Sequence, residues 1–514
     1  MTAPSATSRQ STDLDQLRKL ESKRCIGVAA EISTTPTQPH LGPAPLWMGL
    51  AGALGWGIRG QYGHETGAMI AGVLVGFAAV LCLKSRLTSL TAARAVALTA
   101  IGIACGGSMT YGQTIGLTHD GPLIGNGPAW WWGILGLALK GALWIGFAGL
   151  FLGLGLGGKR YRWWEMALLL VAMILLALVG MWLLNGPFDP DQRVLPRIYF
   201  SDSWHWEPAG DLKPRPECWG GLLLALLGAV GYLSLVRRDR LAGRLALWGC
   251  LAGGIGFPSG QSLQSWRAWH PERFSAEALG GLAPYLQHVN WWNLMEITFG
   301  GVFGLVLGVG LWWNRRLIVD ERDDDTSPTV TLSLGWEVRL CALHVLLLAS
   351  STFLKIPSLA WYEASGLFLG ALPLVGVMAG RLWPYLMVLP LALVPIAGKT
   401  LRNLSYEHAE WTPQLGWIVL VILPLAVACE VALALTRHFQ AKPRADATRC
   451  AQWGLATSTV LFTGLNFAFF RFPWPWEEWT GRTPSGLLLG ICAAGLLLAV
   501  MRSALGGERP AAIR

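Results

Sequence analysis

Residues 166–187 read MALLLVAMILLALVGMWLLNGP, with no Asp, Glu, Lys or Arg among them. About 20 mostly apolar residues are what a helix needs to cross about 30 Å of hydrocarbon. Residues 245–266 and 450–470 lack the same four residue types, and blocks of this kind recur along the chain. Lipid offers the backbone no hydrogen-bond partner, so each block must close its own bonds as a helix. The chain therefore reads as an all-α, polytopic integral membrane protein of about fourteen spans. The expected spans are 46–58, 67–83, 95–116, 130–157, 163–184, 219–236, 245–262, 291–313, 336–354, 359–380, 382–398, 414–435, 450–470 and 484–501.

Composition agrees. Hydrophobic residues make up 53% of the 514 and charged ones 14%, against roughly 25% charged in soluble proteins. The 63 glycines suit helices that approach closely, and the 28 tryptophans suit the membrane–water interface. The net charge of +9 is spread over short loops rather than gathered in one patch, which argues against nucleic acid. The nine cysteines form no C-x-x-C pair, so neither a disulfide framework nor a cysteine-based metal site is expected.

Lys and Arg concentrate in cytoplasmic loops. With the N-terminus inside, the cytoplasmic segments carry Lys84/Arg86/Arg94, Lys159/Arg160/Arg162, Arg237/Arg238/Arg240/Arg244, Arg315/Arg316 and Arg437/Lys442/Arg444/Arg449. Both termini then face the cytoplasm, and the hairpins point outward. A bacterial inner (plasma) membrane is the natural location. Residues 1–45 lack the apolar core of a signal peptide and read as a disordered cytoplasmic tail. An eight-helix region, 46–316, is followed by an acidic linker, 317–335, and a six-helix region, 336–514.

A repeat is visible in the first region. Three ascending segments end in a Gly-rich run closing on Gly-Gln, at Gly60-Gln61, Gly112-Gln113 and Gly260-Gln261. Each descending partner carries Gly-x-x-x-Gly, at Gly72/Gly76, Gly149/Gly153 and Gly304/Gly308. Such spacing flattens one helix face for a close neighbour. Helix breaks at membrane depth occur where backbone groups are buried in protein or line a cavity. Three glutamine amides at such breaks, each both donor and acceptor, would suit a polar or hydroxylated ligand. The plainer reading is that they cap helices and bridge spans.

Histidines beside acids mark the outer segments, as in His64-Glu65, His119-Asp120, His205-Trp206-Glu207 and His270-Pro271-Glu272. A His next to a carboxylate can serve as an oriented base. His64, Glu65, His205 and Glu207 are the catalytic candidates, and no pair has metal-site spacing. Within the spans lie Lys140 and Glu296, with Arg59 near an outer end. Ionisable groups at that depth are functional candidates by default. Lys140 is expected to pair with Glu296 and Arg59 with Glu65. The candidate binding set is thus Arg59, Gln61, Gln113, Gln261, Lys140 and Glu296.

No phosphate-binding loop, dinucleotide-binding turn or nucleophile elbow occurs, and no cofactor is expected. The expected partners are the lipid bilayer and a small or lipid-linked substrate. The sequence favours a permease for a small polar or hydroxylated solute, with its site at the Gly-Gln breaks. The alternative is a membrane-embedded transferase that uses a lipid-linked substrate at the outer face.

Overall fold

The computed structural model describes residues 42–83, 87–318, 332–354, 356–359, 381, 383, 386–441, 447–471 and 478–506. Nearly all of the expected tail, most of the acidic linker and nearly all of the expected span 359–380 lie outside them. No strand occurs among the described residues.

The first region holds eight long helices: α1 (Ala44–Arg59), α2 (Glu65–Leu83), α3 (Ser89–Cys105), α4 (Gly127–Leu156), α5 (Trp163–Leu184), α6 (Trp219–Gly231), α7 (Arg240–Trp269) and α8 (Trp291–Trp313). Their starts follow from local chemistry. The side chains of Thr88, Asn126, Asp239 and Asn290 each accept a hydrogen bond from the backbone N–H three residues on, at 3.0–3.3 Å. Each supplies a partner for a donor that the first helical turn leaves unpaired. The second region contributes α9 (Leu334–Ala349), α10 (Val388–Leu401), α11 (Leu423–Ala441), α12 (Thr448–Phe469) and α13 (Thr483–Gly506).

Among the described residues, nine helices are long and apolar enough to cross a membrane. The protein is therefore a multi-pass helical membrane protein. Helices α1, α7, α10 and α12 occupy four further expected spans but fall short of those criteria of length or apolarity.

Six helices pack in a closed cycle: α1 on α2, α2 on α3, α3 on α4, α4 on α7, α7 on α8, and α8 back on α1. The Gly-x-x-x-Gly faces lie at three of these contacts. A Cβ built on Gly72 would meet the Ala100 Cα of α3 at 2.6 Å, and one on Gly149 the Leu245 oxygen of α7 at 2.1 Å. On Gly304 it would meet the Met48 oxygen of α1 at 2.1 Å. No side chain fits there, which is why glycine recurs at that spacing. Outside the cycle, α5 pairs with α6, and α6 touches α4. On another flank α13 lies on α1, while α10 and α12 lie on α2.

The middle of the cycle is filled rather than open. Trp56 meets Trp144, Phe299 and Phe303 edge-on, with ring centroids 4.6–5.6 Å apart. Phe257 stacks on Phe299 at 4.6 Å.

The three Gly-Gln positions differ. Helix α1 stops at Arg59, and the chain turns through Gly60–His64, with Gly63 at φ +98°, a conformation that favours glycine. Helix α3 ends in a 3₁₀ turn, Gly106–Ser108, before the short helix Gly112–His119. At the third there is no break: α7 runs unbroken from Arg240 to Trp269, with Pro258 inside it. Close packing keeps it helical through the Gly-Gln pair, since Gly253 lies against the backbone of Gly141 and Gly260 against that of Met295.

Candidate binding site at the first Gly-Gln turn

Arg59 is the last residue of α1, and its side chain is 1% exposed. Burying a guanidinium at that depth requires partners. It donates from Nη2 to a Glu296 carboxylate oxygen at 3.2 Å and to the Tyr111 hydroxyl. It also lies over the rings of Trp56, Trp144 and Tyr111, 4.4–5.3 Å from their centroids. Glu296 comes from α8, and Asn293, one turn earlier, donates to it at 3.3 Å and to the Gly57 carbonyl at 2.8 Å. The expected pairing of Arg59 with Glu65 is thus replaced by one with Glu296. Glu65 starts α2, tucked against the backbone of Gly107.

Above this pair lies the Gly60–His64 turn. Gly60 is exposed, and a Cβ there would meet a Glu296 oxygen at 2.8 Å. One bare backbone turn therefore separates the carboxylate from solvent. His64 keeps part of its surface open to solvent, while its ring is set edge-on to Tyr111 at 5.2 Å. Burial among the surrounding protein and the Arg59, Lys399 and Arg215 cations lower its pKa from the ordinary 6.5 to about 4. His64 thus sits at the surface of the turn with three cations acting on it. Lys399, from α10, donates to the Tyr62 carbonyl at 2.8 Å. Arg482, at the start of α13, lies over Phe470 at 4.2 Å and acts electrostatically on Glu296.

Lys140 sits in a separate network, where the expected partner Glu296 is replaced by Glu217. Its ammonium lies 2.6 Å from Glu217 and 2.7 Å from the Thr114 hydroxyl, and both charged side chains are 1% exposed. Glu217 also accepts from Ser201 Oγ at 2.7 Å and from the Phe200 N–H at 3.0 Å. Lys140 can reach Glu217 and not Glu296 because α8 gives its carboxylate to α1, while the long loop between α5 and α6 brings Glu217 down onto α4. The cluster anchors that loop.

The glutamines do not ring one point. Gln113 donates to the Lys213 carbonyl at 2.8 Å and accepts from the Arg215 N–H at 3.1 Å, clamping the same loop. Gln261 is fully buried and donates to Thr118 Oγ1 at 2.6 Å. Gln61 lies half-buried on the first turn itself. His205 is exposed in its own loop, edge-on to Trp206 at 4.6 Å, and the Glu207 N–H bonds Ser203. The His119–Asp120 and His270–Glu272 pairs are local, at 3.6 and 3.3 Å. Among the described residues no three His, Cys, Asp or Glu side chains gather to hold a metal ion.

Sequence reasoning missed Tyr111, Asn293 and Glu217. Tyr111 had a signal: it precedes Gly112-Gln113 as Arg59 precedes Gly60-Gln61. Lys399 and Arg482 had none, because their helices belong to the other half of the chain.

A groove of about 680 Å³ lies between the start of α4 and the end of α7, walled by Trp130, Trp131, Trp266 and Trp269. Comparison of the chain with family models, curated proteins and solved structures finds no match.

Proposed function

We propose that the protein is a permease of a bacterial inner membrane that binds a small polar solute at the Gly60–His64 turn, over the buried Arg59–Glu296 pair. The observation that carries the reading is the convergence, beneath an exposed turn, of charged and polar groups from α1, α8 and the segment after α3. Many transporters bind their solutes where helices are interrupted at the interface between repeats. The reading includes about fourteen spans, cytoplasmic termini and an outward-facing turn, in line with the basic loops at the opposite end. It also includes a threefold internal repeat: α1–α2, α3–α4 and α7–α8 are the three units. Each descending glycine face meets the ascending helix of the next unit. Below Arg59 the aromatic cluster around Trp56 closes the axis, so passage requires those rings to move.

The tryptophan groove favours a second reading, a transferase acting on a lipid-linked substrate, since it offers apolar walls with Ser259, Ser262 and His270 among them. A thermal-shift screen of purified protein against small polar solutes and isoprenoid-linked sugars separates the two, because a ligand of the folded state raises its stability. Stabilisation by a small solute, lost in Arg59→Gln, supports the permease. Stabilisation only by a lipid-linked sugar, lost on changing His64 or Glu65, supports the transferase.

A further inference from the structure

We propose that the exposed face of the Gly60–His64 turn binds a small oxyanion, a carboxylate or phosphate group, held by Lys399, Arg215 and Arg482 above the Arg59–Glu296 pair. The inference rests on that turn being the binding site and names the chemistry of what it takes. It does not depend on transport.

The first support is charge. Arg59, Lys399 and Arg215 act together on His64, and Arg482 acts on Glu296. Set against Glu296 these are four cations, and clustered positive charge raises the local concentration of anions.

The second is placement. The Lys399 ammonium is pinned over the turn by its bond to the Tyr62 carbonyl, and a Cβ on Gly63 would come 3.0 Å from it. The backbone of Arg215 is fixed twice, its N–H donating to Gln113 and to the Tyr199 hydroxyl, each at 3.1 Å, while its side chain is exposed. The Arg482 guanidinium rests on Phe470. Lys399, bonded to the turn, and Arg482, packed on Phe470, are held in place and so pre-organised for an anion.

The third is unused donor capacity. Arg59 Nε is buried and finds no acceptor among the described residues. Buried donors normally have partners, and an oxyanion supplies acceptors. A neutral sugar or amino alcohol would leave the excess charge unanswered.

The test is the thermal stability of the full chain in detergent with inorganic phosphate, succinate, dioleoyl phosphatidic acid in mixed micelles, or methyl glucoside. The inference predicts saturable stabilisation by phosphate or succinate. Its apparent Kd should rise at least tenfold in Arg215→Gln and in Arg482→Gln and stay near wild type in Arg215→Lys. Because Arg215 is held by its backbone, Arg215→Gln is expected to fold, and Arg482→Gln is an independent second variant. Stabilisation by phosphatidic acid alone, with the same dependence on Arg215, upholds the oxyanion site but assigns it to a lipid headgroup and counts against a solute permease. Stabilisation by methyl glucoside alone overturns the oxyanion inference and leaves the permease standing. No stabilisation by phosphate, succinate or phosphatidic acid, or an equal effect in Arg215→Gln, overturns the inference.

Discussion

Replacing Lys140 with methionine separates an anchoring role from a binding one. Methionine keeps the stem and deletes the ammonium, leaving Glu217 buried with two neutral donors, Ser201 Oγ and the Phe200 N–H. At 2.6 Å the Lys140–Glu217 attraction is about 6 kcal/mol gross at an effective dielectric of about 20. Desolvation of both ions offsets most of it, yet removing one partner of a buried pair costs roughly 3–5 kcal/mol because the other charge is stranded. The two remaining donors place Lys140→Met at the low end, about 3 kcal/mol. Adding Glu217→Gln removes the stranded charge, and the double variant should return to within about 1–2 kcal/mol of wild type. Equilibrium unfolding in detergent, followed by tryptophan emission, reads all three. Limited proteolysis should show faster cleavage between α5 and α6 in Lys140→Met alone. Ligand stabilisation at the Gly60–His64 turn should persist in the double variant. If Lys140→Met is as stable as wild type, or the double variant is no better than the single one, Lys140 is not held by Glu217 and the anchoring account is wrong.

Other perturbations follow from the same contacts. Glu296→Gln should tighten oxyanion binding, because it removes the carboxylate beneath the site, while costing about 3 kcal/mol or less, because glutamine keeps an acceptor for Arg59; unchanged binding would remove the pair from the site. Gly304→Ala places a methyl 2.1 Å from the Met48 oxygen and should destabilise by roughly 1–3 kcal/mol or more through overpacking. Gly301→Ala, one turn away with its nearest atom at 3.7 Å, should be near neutral in the same unfolding assay. His64 is held neutral, with a pKa of about 4 against 6.5 unfolded. Its contribution is present above pH 6.5 and lost as pH falls through 4, damped by solvent screening. Thermal stability measured from pH 7 to 4.5 should fall less steeply in His64→Gln.

How much of this was legible beforehand depends on the range of the contact. The block 166–187 announces a span because lipid dictates helix from apolar length alone, and α5 occupies 163–184. The Gly-x-x-x-Gly spacing announces a flat face, and all three such faces do receive a neighbour's backbone. Partner choice was not legible. Lys140, Glu296 and Arg59 were visible as buried charges, but which carboxylate meets which cation depends on the path of a long loop and on how α8 closes the cycle, separations of 77 and 237 residues. The Gly-Gln run at 260–261 misled because packing on α4 and α8 overrides local helix-breaking tendency, while the same dipeptide at 60–61 has Gly63 to turn the chain.

The measurement that bears most directly on the central claim is labelling of His64→Cys, in a background without native cysteines, by a membrane-impermeant maleimide added to the outside of intact cells. The account predicts rapid outside labelling, slowed by saturating phosphate or succinate, because the turn is the open mouth of the site. Labelling only after the cells are opened would contradict the outward-facing turn, and outside labelling that no oxyanion or polar solute slows would contradict the turn as a binding site.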